Sequence, residues 1–128
     1  MSLNDKTDNL MKLIPTKVHG LLDYTTGVLF LASPWLLNFA DDHKARQVAV
    51  STGLAVLGLS AFTDYEAGLM KKVPMKTHLT IDTLTGVLVA ASPWLLGFAK
   101  RIAWPHLTFG ILELGAGLLT HPKPAYEQ

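Results

Sequence analysis

The chain of 128 residues contains no cysteine, which excludes disulfides, thiolate metal ligands and thiol nucleophiles and leaves the redox compartment unreadable. It is also short of charge: 16% of residues are Asp, Glu, Lys or Arg, against about 25% in soluble domains. Eleven bases and ten acids leave a net charge of +1. The bases are spread through connecting segments rather than gathered in a stripe, so nucleic acid is excluded as a partner class. No phosphate loop, nucleotide fingerprint or nucleophile–base set is present, which makes an enzyme the least supported class and leaves any cofactor unknown. No alternating run of strand length stands out.

The sparse charges leave three runs of 17 residues, Tyr24–Ala40, Gln47–Thr63 and Thr83–Ala99, with no charged residue at all. A fourth, Ile102–Thr120, carries the single acid Glu113. At ~1.5 Å per residue a 17-residue helix is about 25 Å long, close to the thickness of bilayer hydrocarbon. A surface helix of a soluble bundle would show a charged stripe every three to four residues, and these show none. The expectation is an all-α membrane protein with four transmembrane helices, in one membrane domain over 1–128. The polar tail Met1–Leu13 lacks the features of a removable signal peptide, so the first span would act as its own insertion signal.

The chain also repeats itself. Pro15–Ala40 and Pro74–Ala99 align without a gap at an offset of 59, with 16 of 26 pairs identical. Ala32-Ser33-Pro34-Trp35-Leu36-Leu37 returns as Ala91-Ser92-Pro93-Trp94-Leu95-Leu96. A fainter match at an offset of 57 relates Leu57-Gly58 to Leu114-Gly115 and Thr63 to Thr120. Two units of two helices follow, about 15–64 and 74–121, which are expected to pack on each other. Ile14-Pro15 and Val73-Pro74 mark matching helix starts, because proline at a first turn loses no intrahelical bond. Ala49-xxx-Gly53 and Ser51-xxx-Ala55 are candidates for close helix contact.

With two spans per unit, the second copy enters the membrane in the same sense as the first, giving parallel repeats about an axis along the membrane normal. Lys6, Lys12, Lys17, Lys71, Lys72, Lys76 and Lys123 fall on the side of the termini; Lys44, Arg46, Lys100 and Arg101 fall on the other. Seven against four places both termini in the cytoplasm, in a multi-pass protein of the cell membrane. Trp35, Trp94 and Trp104 then lie toward the outer interface.

The duplicated Ser-Pro-Trp-Leu-Leu run, preceded by His-xxx-Asp and Thr-Gly-Val-Leu, resembles the SPW repeat family of small prokaryotic membrane proteins. The resemblance covers the first helix of each unit well and the second loosely. It implies an integral membrane protein of two two-helix repeats and brings no catalytic residue or cofactor.

Two groups of residues invite chemistry. His19 and Asp23, and again His78 and Asp82, stand at i and i+4, so each pair shares a helical face, and Glu113 comes to a similar depth from the opposite direction. These five could converge in the cytoplasmic part of the bundle as orienting hydrogen bonds, as a divalent metal site, or as a proton or ion path. Haem on His19 and His78 would lack an attachment motif. Ser33-Pro34-Trp35 and Ser92-Pro93-Trp94 read as fixed kinks with an interfacial tryptophan, or as hinges. His43, His106 and His121 read as interfacial or loop residues. The resulting expectation is a scaffold or accessory subunit of a membrane assembly, with lipid around it and a homo-oligomer or larger complex as partner. Proton or metal-ion binding or transport at the His/Asp/Glu cluster is the alternative.

Overall fold

The computed structural model describes residues 12–128; the segment before them, including Lys6, lies outside the described residues. Four helices follow one another: α1 Thr16–Leu36, α2 His43–Phe62, α3 Met75–Leu95 and α4 Trp104–Leu119, then a short 3-10 turn, Ala125–Glu127. Pro15 and Pro74 are the residues before α1 and α3, both extended, so the two starts read from the sequence are present. Asp42 caps α2 by accepting from the Ala45 N–H at 3.0 Å, and Pro105 opens α4. Among the described residues there is no strand, only two isolated bridges.

Each helix buries one stripe. On α1 it is Thr16, His19, Gly20, Asp23, Gly27, Phe30, Ser33 and Pro34, spaced at three and four residues as one helical face requires. On α3 the same positions recur 59 residues on. The tightest packing lies within each hairpin, α1 on α2 and α3 on α4. It depends on glycine: a Cβ on Gly53 would stand 2.8 Å from the Gly27 carbonyl oxygen, and one on Gly110 would stand 2.6 Å from that of Gly86. No side chain fits at those crossings. Gly53, from the small-residue pattern of α2, is thus at a contact.

Each of the two first helices ends in the Ser-Pro-Trp run. Pro34 has no N–H to give the Phe30 carbonyl, and Ser33 Oγ donates to that carbonyl instead, at 2.7 Å. Ser92 does the same for Val89, four residues before Pro93, at 2.7 Å. The serine therefore replaces the bond that the proline removes. The Phe39 N–H then returns to the Pro34 carbonyl at 2.8 Å, across Asn38 at a φ of 59°. Gly97, the equivalent of Asn38, has a φ of 80°. Asn and Gly are the residues that accept this left-handed position after a helix. Trp35 and Trp94 point outward.

The two hairpins are tied at both ends. At the end bearing the loops 37–42 and 96–103, Arg101 meets Asp41 at 2.7 Å and donates to the Asn38 carbonyl. The guanidinium holds the Asp41 carboxyl below its usual range. At the other end the start of each repeat bonds to the finish of the other. Ile14 N–H donates to Leu119 and the Ile14 carbonyl accepts from His121; Asp64 N–H donates to Val73, whose own N–H reaches Phe62. Between these ends the core has two parts, an apolar cluster of Phe30, Phe39, Ala45, Ala49, Val56, Val89, Phe98 and Phe109, and a polar centre flanked by Tyr65, Met75 and Leu79.

The exterior is apolar. Leu21, Leu29, Leu54, Leu84, Leu88 and Ile111 are each more than half exposed. By length and composition one helix, α2, is apolar enough to cross a membrane. α4 has 16 residues, and α1 and α3 each carry histidine, aspartate and serine along their buried stripes, which lowers their average hydropathy.

Candidate functional site

The i, i+4 spacing puts His19 and Asp23 on the buried face of α1 and His78 and Asp82 on that of α3, and the repeat brings the two faces together. All four residues are buried, with ligand atoms within 4.8 Å of one another. His19 Nε2 lies 3.1 Å from Asp23, 2.8 Å from Asp82 and 3.3 Å from His78 Nε2. His78 Nε2 lies 3.2 Å from Asp23 and 3.0 Å from Asp82. Each imidazole thus addresses the aspartate of its own helix and that of the other repeat.

The opposite ring nitrogens define the tautomers. His78 Nδ1 is 2.7 Å from Thr63 Oγ1, and that hydroxyl donates its one hydrogen to the Leu59 carbonyl at 2.6 Å. The hydroxyl can then only accept from the ring, so Nδ1 carries a hydrogen. His19 Nδ1 meets Thr120 at 2.7 Å, and Thr120 donates to Ala116 at 2.6 Å. Each threonine follows the second helix of one repeat and holds the histidine of the other. In the neutral ring the Nε2 atom presents a lone pair to the centre.

The centre departs from two-fold symmetry at two places. Tyr65 donates to Asp23 Oδ2 at 2.8 Å, and its counterpart 57 residues on is Pro122. Burial first, and then the Asp23 carboxylate, push the Tyr65 phenol above its ordinary range, so it remains a donor. Glu113 is buried beside Asp82, and its Oε2 has no hydrogen-bond partner. It stands outside the group of four. Its counterpart is Val56.

Of the five residues the sequence nominates, the fold brings four to one point and sets Glu113 alongside. Thr63, Thr120 and Tyr65 were not nominated, although the recurrence of Thr63 as Thr120 was a usable signal. His106 differs from its reading as an interfacial residue. It is fully buried, its rings packed against Phe30, Phe39 and Phe98, with Nε2 2.9 Å from the Ala45 carbonyl. The hairpin crossing carries it inward at the second residue after Trp104. His43 is exposed, and His121 lies in a loop.

The sequence profile of the SPW repeat domain matches residues 17–120, and the chain belongs to that family. The family and the one apolar helix point to a membrane-associated protein. No curated protein and no solved structure matches the chain.

Proposed function

We propose that this chain crosses a bilayer four times, as two parallel hairpins with both termini in the cytoplasm, and that its function is to bind a cation in its interior. One observation carries the reading: the helices turn leucine outward and gather their acids inward. A soluble bundle has the reverse arrangement. No lysine or arginine is buried among the described residues, so positive charge for Asp23 and Asp82 must come from protons on the histidines or from a bound ion. Average hydropathy undervalues α1 and α3 because His19, Asp23, Ser33, His78, Asp82 and Ser92, which lower it, face the bundle interior, away from lipid.

The topology is tested with single cysteines in intact cells. Positions Lys72 and Gln128 should be shielded from an impermeant thiol reagent, and Asp42 and Lys100 should label. Labelling at 72 without labelling at 42 would invert the arrangement. Cation binding is tested by thermal unfolding in mild detergent. The wild-type midpoint should depend on the cation supplied, whether proton or divalent metal, because a ligand of the folded state stabilises it. The Asp23→Asn/Asp82→Asn variant should have lost that dependence. Equal responses in the two proteins would remove cation binding as the function.

A scaffold or accessory role is the second reading. It is favoured by the broad apolar exterior, with Trp35, Trp94 and Trp104 all exposed toward one end, a surface that lipid or partner helices would cover. Co-purification of a stoichiometric membrane partner, with no cation response, would select it.

A further inference from the structure

Resting on the cation-binding reading, we propose that the ion is one divalent first-row transition metal, of which zinc fits best, bound by His19 Nε2, His78 Nε2, Asp23 and Asp82 with four-coordinate geometry. A tetrahedral zinc with arms of ~2.0–2.1 Å has ligand-to-ligand edges of ~3.3–3.4 Å. The His–His separation is 3.3 Å and the four His–Asp approaches are 3.1, 2.8, 3.2 and 3.0 Å, those of Asp23 made through its two different oxygens, so a turn of the Asp23 carboxylate and a parting of the donors by a few tenths of an ångström would seat it.

Protons alone leave the geometry unexplained. A protonated Nε2 has one N–H, which points along one line, whereas each Nε2 here has three neighbours within 3.3 Å. One of those neighbours is the other Nε2, which no carboxylate-bound hydrogen accounts for. An ion at the middle satisfies every one of these approaches at once. Its two positive charges also equal the two negative charges of Asp23 and Asp82, leaving the four-residue set neutral with no lysine or arginine required.

The surroundings are those of a held ligand set. Metal-binding imidazoles fix their orientation by giving the remote N–H to an oxygen, and Thr63 and Thr120 take that hydrogen from His78 and His19 at 2.7 Å each. Tyr65 donates to Asp23 Oδ2, which also lies 3.2 Å from His78, while Oδ1 lies 3.1 Å from His19, so the phenol fixes the carboxylate with both oxygens near the imidazoles. Two nitrogens and two carboxylate oxygens suit zinc, iron(II), cobalt(II) or manganese(II). Calcium and magnesium ask for six or more ligands, mostly oxygen. Four buried protein ligands leave no open position, so the site is a structural or storage site and not one that activates water.

The full chain purified in mild detergent from cells grown with zinc, iron and manganese should contain about one equivalent of metal by elemental analysis. Metal-free protein given cobalt(II) should develop the strong visible bands of a tetrahedral complex and saturate at one equivalent. His78→Ala and Asp82→Asn should lose at least nine-tenths of that uptake, while Glu113→Gln should keep all of it. Should the ligand variants fail to fold, X-ray absorption of the wild type decides the matter through two imidazoles in the first shell. Folded wild type that neither contains metal nor binds cobalt overturns the proposal, as does cobalt uptake retained by His19→Ala/His78→Ala. If the unfolding midpoint of that same metal-free protein still follows pH, and the Asp23→Asn/Asp82→Asn variant does not, the metal has failed and cation binding stands on protons alone.

Discussion

At the scale of single residues the Ser-Pro pair is a matched unit. Removing the Ser33 hydroxyl leaves the Phe30 carbonyl, inside the protein, without the donor that replaces the missing N–H of residue 34. An unsatisfied buried acceptor costs about 1–3 kcal/mol. Pro34→Ala gives the backbone N–H back and makes the hydroxyl redundant. Ser33→Ala should therefore destabilise the protein markedly, and Ser33→Ala/Pro34→Ala should be less destabilised than the sum of the single changes. A denaturation cycle on the four proteins reads the coupling; strict additivity would mean that serine and proline act separately. The sequence shows this pair twice and shows the i, i+4 histidines and aspartates, because all of these are local spacings. The recurrence of Thr63 as Thr120 marked the two positions, but their roles and that of Tyr65 were hidden because they act on residues 15, 101 and 42 positions away. His106 was misread for a related reason: nothing near it in the chain announces three phenylalanine rings.

At the scale of elements, glycines of similar appearance have opposite meanings. A side chain on Gly110 would collide with the Gly86 carbonyl and with Ala90, so Gly110→Leu should force α3 and α4 apart and abolish folded protein in detergent. Nothing stands within 4 Å of a Cβ at Gly58 or Gly115. Gly58→Ala should be tolerated and even stabilising, by up to about 1 kcal/mol, since glycine in a helix interior is the poorer helix former. Chromatographic monodispersity and melting curves distinguish the two outcomes. The sequence pattern identified helix starts well, since Pro15 and Pro74 are local signals, but it could not tell contacting glycines from exposed ones. That distinction depends on how the hairpin crosses.

The connection after α2 offers a pH test at the same scale. Glu66 accepts from the Thr16 hydroxyl at 2.7 Å and from the Ala125 N–H at 2.9 Å. Partial burial raises its carboxyl, but the Ala125 and Thr16 hydrogen bonds outweigh that and hold it below the usual range. A carboxyl lower in the folded than in the unfolded state stabilises above its unfolded value and loses that contribution as pH falls through the folded one. Because the group is largely solvated, the effect is under about 1 kcal/mol. Glu66→Gln should lower the melting midpoint slightly at pH 7, with the difference from wild type closing below pH 4. A difference that persists in acid would show that the carboxylate's charge is not the cause.

For the whole molecule, the crossed ties decide when it can exist. The Ile14 backbone meets Leu119 and His121, and His19 meets Thr120, so the first turn of α1 is completed by residues at the end of the last long helix. During synthesis the first hairpin is finished at Thr63, and Thr120 follows 57 residues later. At about 5–20 residues per second that interval is about 3–11 s. His78 and Asp82 are made early in it, but Thr120, which holds His19, comes only at its end. Until then the first hairpin lacks the contacts that complete its centre. Assembly is then a single late event, completed when the second hairpin arrives.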